Sequence, residues 1–178
     1  MKTKYLIQVI VKNIIVVLGA FLGGFYFTNM FHEPTSLVGG LWATISAIIV
    51  LEVSHYKTLS SAKLRLTGSF IGAVLSGIYM LLFPFSVIGF AATIGIGVLV
   101  CFLLKVPEAI KLTGITVSVI IIVSTISEEL HPIKNAGLRF IESAIGAGIA
   151  ELVAYVNYKL GYFPHHKKDI KNKAIGME

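Results

Sequence analysis

Apolar residues fill six long stretches of the chain, at about residues 13–31, 37–53, 66–83, 85–104, 112–126 and 140–158, with most polar and charged residues between them. The runs are continuous instead of alternating. A barrel strand would read as about 10 residues in period two, so the pattern predicts helices. Most of the runs approach the roughly 20 residues that a helix needs to cross about 30 Å of hydrocarbon. The expected fold is all-α: a polytopic membrane protein with six transmembrane helices over residues 1–160, followed by a basic cytoplasmic tail over residues 161–178.

One phrase is written twice. "KLRLTGSFIGAV", Lys63 to Val74, returns as "GLRFIESAIGAG", Gly137 to Gly148, pairing Leu64-Arg65 with Leu138-Arg139 and Ile71-Gly72-Ala73 with Ile145-Gly146-Ala147. The same shift of 74 pairs Gly23 with Gly97, Gly40 with Gly114 and Thr44 with Ser118. The reading is a 3+3 inverted repeat, about residues 11–84 and 85–158, because three spans per copy make the second copy enter from the opposite side. The alternative is chance similarity between Gly-rich apolar helices. Inverted repeats of this kind occur in transporters, whose sites lie near the midplane beside short or Gly-interrupted helices. Helices 2 and 5 fit that description, which makes Gly40 and Gly114 candidates for substrate contact. The small residues Gly68, Gly72 and Ser76, and Gly146 with Ala150, recur four apart and read as close-packing positions.

Hydrophobic residues make up 56% of the chain and charged ones 13%, against about a quarter charged in soluble domains. Thirteen basic residues fall in pieces that an inside N-terminus makes cytoplasmic, leaving Lys134 and Arg139 outside. This bias predicts an inner-membrane protein with both termini cytoplasmic. Membrane lipids, not nucleic acid, account for the net charge of +6. The first run starts with Lys2 and Lys4 like a secretory signal, but Lys12 interrupts it and no cleavage site follows, so it reads as a retained helix. Cys101 stands alone, His32, His55 and His131 sit in or near loops, and His165 and His166 lie in the tail without matching ligands. No metal site, cofactor, nucleotide loop or catalytic triad is read, and the expectation is a non-enzyme.

Ionisable groups inside a span are candidates for function. Glu151 lies about 18 Å down helix 6 from Arg139 and is either a proton-coupling carboxylate or a structural pair. Glu52, near the end of helix 2, either couples protons or pairs at the interface. Arg139 and Glu142 share a face and can form a local ion pair, with Arg139 also a candidate for substrate binding and Glu142 a third proton-coupling candidate. Arg65 has no acidic neighbour in sequence and is read as a free cation facing an anionic substrate from the cytoplasm. Lys12 could do the same from helix 1, or snorkel to lipid phosphates, as could Arg65.

The stretch "LWATISAIIVLEVSHYKTLSSAKLRLTGSFIGAVLSGI", Leu41 to Ile78, resembles the second and third helices of the fusaric-acid-resistance and aromatic-acid-exporter superfamily. That pattern sets Trp-Ala before an apolar helix, then a short basic loop and Arg-x-x-Gly-(Thr/Ser)-x-x-Gly, met here by Arg65, Gly68, Ser69 and Gly72. "LRFIESAIGAGIAELVAYVNY" resembles the sixth helix, and the resemblance covers about residues 10–160. The superfamily is similar to plant malate channels, and the resemblance implies export of aromatic and other small organic anions. Three features depart from the pattern: a large cytoplasmic domain usually follows the sixth helix, Glu52 stands where a glutamine is common, and Glu142 replaces a Gly or Asp. The sequence reading is therefore a proton-motive-force-driven exporter of small organic or aromatic carboxylates, working as a homodimer. Its rivals are a non-transporting scaffold that binds lipid or a partner protein, and a passive anion channel. A polar cavity at the midplane between helices 2, 3, 5 and 6 would favour transport, and a dry bundle the scaffold.

Overall fold

The computed structural model describes residues 2–127 and 129–160, with side chains from residue 6 onward. The basic tail expected over residues 161–178 lies outside them. The elements are α1 (Lys2–Phe31), α2 (Ser36–Val50), α3 (His55–Leu82), α4 (Val87–Leu103), α5 (Ile110–Ile126) and α6 (Pro132–Lys159), with single 3-10 turns at Glu33–Thr35 and Pro107–Ala109 leading into α2 and α5. Proline opens both turns and α6, where its fixed φ suits a helix start. Helix α3 stops where Phe83, extended ahead of Pro84, cannot stay helical. Ser86 caps α4 by accepting from the Gly89 amide at 3.0 Å.

Two expectations about the helices change. Helix α3 begins at His55 and α6 at Pro132, well before the expected 66 and 140. Each has 28 residues, about 42 Å of helix against about 30 Å of hydrocarbon. Hydropathy marks the part of a helix that lipid covers, whereas hydrogen bonding carries the helix on through Lys57, Lys63 and Lys134. Arg65 and Arg139, expected at the membrane-edge ends of their helices, therefore lie well inside them. Five helical segments are long and apolar enough to cross a membrane, and α4, with 17 residues, is shorter.

Helices α3 and α6 cross antiparallel at the centre, with His55 beside Tyr158, Phe70 edge-on to Phe140 at 5.7 Å, and Gly77 facing Ala136. Helix α2 runs parallel to α6, with Gly39 beside Glu142 and Ala43 against Gly146. On the other side α5 runs parallel to α3, with Gly68 against Leu112 and Gly72 against Thr116. In lipid no hydrophobic effect draws helices together, and small residues let the backbones approach closely enough for dispersion to do so. Gly146 is the tightest case, because a Cβ there would overlap the carbonyl oxygen of Ala43. The buried residues of α5 (Thr113, Thr116, Val117, Ile120, Ile121, Ser124) each stand 74 positions after a buried residue of α2 (Gly39, Trp42, Ala43, Ser46, Ala47, Val50). The two 3-10 turns keep the same spacing.

Candidate functional site: a buried arginine cluster around Trp42

Trp42 of α2 is 2% exposed and touches both repeated arginines. Its indole N–H donates to the backbone carbonyl of Arg139 at 2.8 Å, and its ring lies 4.7 Å from the guanidinium carbon of Arg65. Arg65 also donates from Nε and Nη2 to the Ser46 hydroxyl, at 3.1 and 2.9 Å. Ser46 in turn donates to the Trp42 carbonyl one turn back on α2, so the acceptor is oriented toward the arginine. On α6, Arg139 Nη1 lies 3.0 Å from Glu142 Oε2, and Thr28 of α1 donates to the other Glu142 oxygen. Gly39 makes room for this, since a Cβ there would overlap the Thr28 hydroxyl. Arg65, Arg139 and Glu142 are fully buried.

Depth follows from the helices. Arg65 stands about 5 Å before the middle of α3 and Arg139 about 10 Å before the middle of the antiparallel α6, so they lie on opposite sides of the bundle's midlevel. Both fall within the span by length. The contact between Arg139 and Glu142 is off the line of a hydrogen bond, and among the described residues Arg139 Nε, Nη1 and Nη2 make no hydrogen bond; nor does Arg65 Nη1. The cluster thus holds two guanidinium groups and one carboxylate, which pairs with Arg139 alone, in a place where an unpaired charge costs several kcal/mol. A site with an excess cation and open N–H donors can take a planar anion, which guanidinium groups grip by two parallel hydrogen bonds.

The other sequence candidates fall elsewhere. Arg65 was expected as a free cation at the cytoplasmic mouth; it is instead enclosed and bonded, because α3 starts more than two turns earlier and carries it inward. Lys12 is buried, and its ammonium donates at 2.7 Å to the Glu52 carbonyl. Glu52 lies past the end of α2 in the turn to α3, with its side chain exposed, so it is not inside a span. Gly40 packs on the Phe21 ring and Gly114 faces Ile94 of α4, where a Cβ would make ordinary contact; neither joins the cluster. Glu151 is 21% exposed and meets the imidazole Nδ1 of His55 at 2.8 Å. His55, read from sequence as a loop residue without a role, opens α3 instead; a histidine three residues before a helical Thr58 offered no signal of a partner 96 positions away. Trp42, Ser46 and Thr28 were also missed as site residues, although Trp42 carried the family pattern.

The cavity between α3 and α6, about 340 Å³, is lined by Phe70, Val74, Ile78, Leu81, Ile133 and Phe140 among others, without a polar side chain. It is not the polar midplane cavity anticipated for transport.

No curated protein and no solved structure is significantly similar to this chain. Residues 24–153 match the family described as fusaric acid resistance protein-like. That segment spans α1 from Gly24 to Val153 on α6, and so takes in Trp42, Arg65, Arg139, Glu142 and their partners. With a match over most of its length, the chain belongs to the fusaric acid resistance protein-like family of membrane proteins.

Proposed function

We propose that the protein is a proton-motive-force-driven exporter of small organic or aromatic carboxylates across the inner membrane, with the anion seated between Arg65 and Arg139. The observation that carries this reading is the buried charge imbalance among the described residues: two arginines and one carboxylate within the span, with N–H groups of both arginines unsatisfied. One carboxylate added there brings the cluster to neutrality and fills those donors. The Trp42 ring, buried beside both arginines, is an apolar plane suited to an aromatic or other flat substrate.

The spacing of 74 shared by the buried faces of α2 and α5, by the 3-10 turns and by the two arginines supports a 3+3 inverted repeat with α4 as a sixth, short span. About 25 Å of helix in α4 is enough to cross where the bilayer thins locally. The working unit is taken to be a homodimer with both termini in the cytoplasm.

Purified protein in liposomes loaded with radiolabelled benzoate tests the reading. Saturable benzoate exchange that Arg65→Ala and Arg139→Ala both abolish supports it, and absence of any flux from folded wild-type protein refutes it. Flux that ignores a pH gradient identifies a passive anion channel. The apolar cavity at the α3–α6 crossing favours a second reading, a non-transporting scaffold that binds a lipid chain or a partner. Lipid or protein that copurifies with a transport-inactive wild-type chain would establish it.

A further inference from the structure

We propose that His55 and Glu151 form a proton-binding site at the cytoplasmic end of the α3–α6 crossing, apart from the arginine cluster, and that its proton is the one exchanged for the exported anion. The second clause rests on the transport reading above. The first rests on geometry. The imidazole Nδ1 lies 2.8 Å from Glu151 Oε1, with side chains 12% and 21% exposed. Both groups are sheltered yet within reach of water. The second oxygen of Glu151 is buried without a hydrogen-bond partner among the described residues, so the carboxylate has capacity left for a proton.

Three tyrosine rings surround the imidazole, Tyr56 at 5.2 Å, Tyr155 at 5.4 Å and Tyr158 at 5.5 Å. Tyr158 stacks on the imidazole at 29°, Tyr56 is tilted at 47° and Tyr155 stands nearly edge-on at 64°, so the ring is enclosed beside Glu151. The other charged groups near this end, among the described residues, include Lys57, exposed in the first turn of α3, Lys159, 5.6 Å from the Tyr155 ring, Lys12 on the Glu52 carbonyl, and Glu52 itself, which faces outward.

The proton balance is simple. With the ring neutral beside an ionised Glu151, the pair carries one negative charge. One proton bound at Nε2 from the cytoplasmic side makes an imidazolium–carboxylate pair of zero net charge, and release of the same proton restores the start. Only an N–H bond forms and breaks. Coupling has a direct path, because α3 carries both His55 and Arg65, about 15 Å apart, and α6 carries both Glu151 and Arg139, about 18 Å apart. A change in how the helices meet at the pair moves both arginines.

The test uses the full chain in liposomes, radiolabelled benzoate as probe, and His55→Gln and Glu151→Gln. An acid lumen should drive benzoate into wild-type liposomes. Each variant should lose this accumulation and keep benzoate–benzoate exchange. Full pH-driven accumulation in either folded variant overturns the proposal, and if Glu151→Gln does not fold, His55→Gln carries the decision. Wild-type protein that moves no benzoate strikes the transport reading, and the pair is then judged by nitrogen NMR of the histidines. A His55 ring that changes protonation between about pH 5 and 8, with signals altered by Glu151→Gln, upholds the site. A ring fixed in one state throughout that range overturns it.

Discussion

Trp42 and Arg139 are joined side chain to backbone across 97 positions, indole N–H to carbonyl at 2.8 Å, where α2 and α6 run side by side. The same carbonyl accepts from the Ser143 hydroxyl at 2.9 Å. Trp42 therefore ties α2 to α6 by its edge while its face meets Arg65 of α3, and one side chain holds three helices around the cluster.

Trp42→Phe keeps the ring under Arg65 and removes the N–H. The expected loss is about 1 kcal/mol, the net worth of one hydrogen bond, whereas Trp42→Ala opens a cavity and should cost about 3–5 kcal/mol. Thermal unfolding in detergent, followed by size-exclusion of the surviving fraction, separates the two. Equal losses would mean that the ring face contributes nothing.

For the ion pair on α6, Glu142→Ala leaves Arg139 buried and alone and should destabilise by about 3–5 kcal/mol. Glu142→Met should cost a similar amount for the same reason, Arg139→Met leaves the carboxylate alone, and the double variant Arg139→Met with Glu142→Met removes both charges and should recover most of that loss. The two single variants and the double form a thermodynamic cycle read from the same unfolding assay. A double variant no more stable than either single one would contradict a coupled pair.

Glycines of α6 should divide sharply. Gly146→Ala puts a methyl group onto the Ala43 carbonyl and forces α2 and α6 apart, an overpacking cost of about 1–3 kcal/mol. Nothing lies within 4 Å of a Cβ at Gly148 or Gly137, so alanine there should be neutral or gain up to about 1 kcal/mol from helix propensity. Similar melting of Gly146→Ala and Gly148→Ala would disprove the close approach.

A reporter inserted between His32 and Ser36 should read periplasmic, and one fused after Glu178 cytoplasmic. The basic residues near the other turns predict this through the positive-inside bias. The same side for both reporters would require a different number of crossings between them.

Legible in the sequence were the helical class, the membrane setting and the family, because hydropathy runs, basic loops and the Arg65-x-x-Gly68-Ser69-x-x-Gly72 pattern are local. The ion pair of Arg139 with Glu142 was legible for the same reason, since three residues apart on a helix share a face. Helix ends at His55 and Pro132 were not, because hydropathy reports lipid coverage while backbone hydrogen bonds continue through charged residues. Nor were the contacts that build the site: Arg65 with Ser46, Trp42 with Arg139, Thr28 with Glu142 and His55 with Glu151 link positions 19, 97, 114 and 96 apart. Such pairs depend on which face each helix turns to its neighbour and on the depth at which they cross. That choice falls to the close approach of Gly39, Gly72 and Gly146 to neighbouring helices, which no single segment contains and which only the assembled bundle decides.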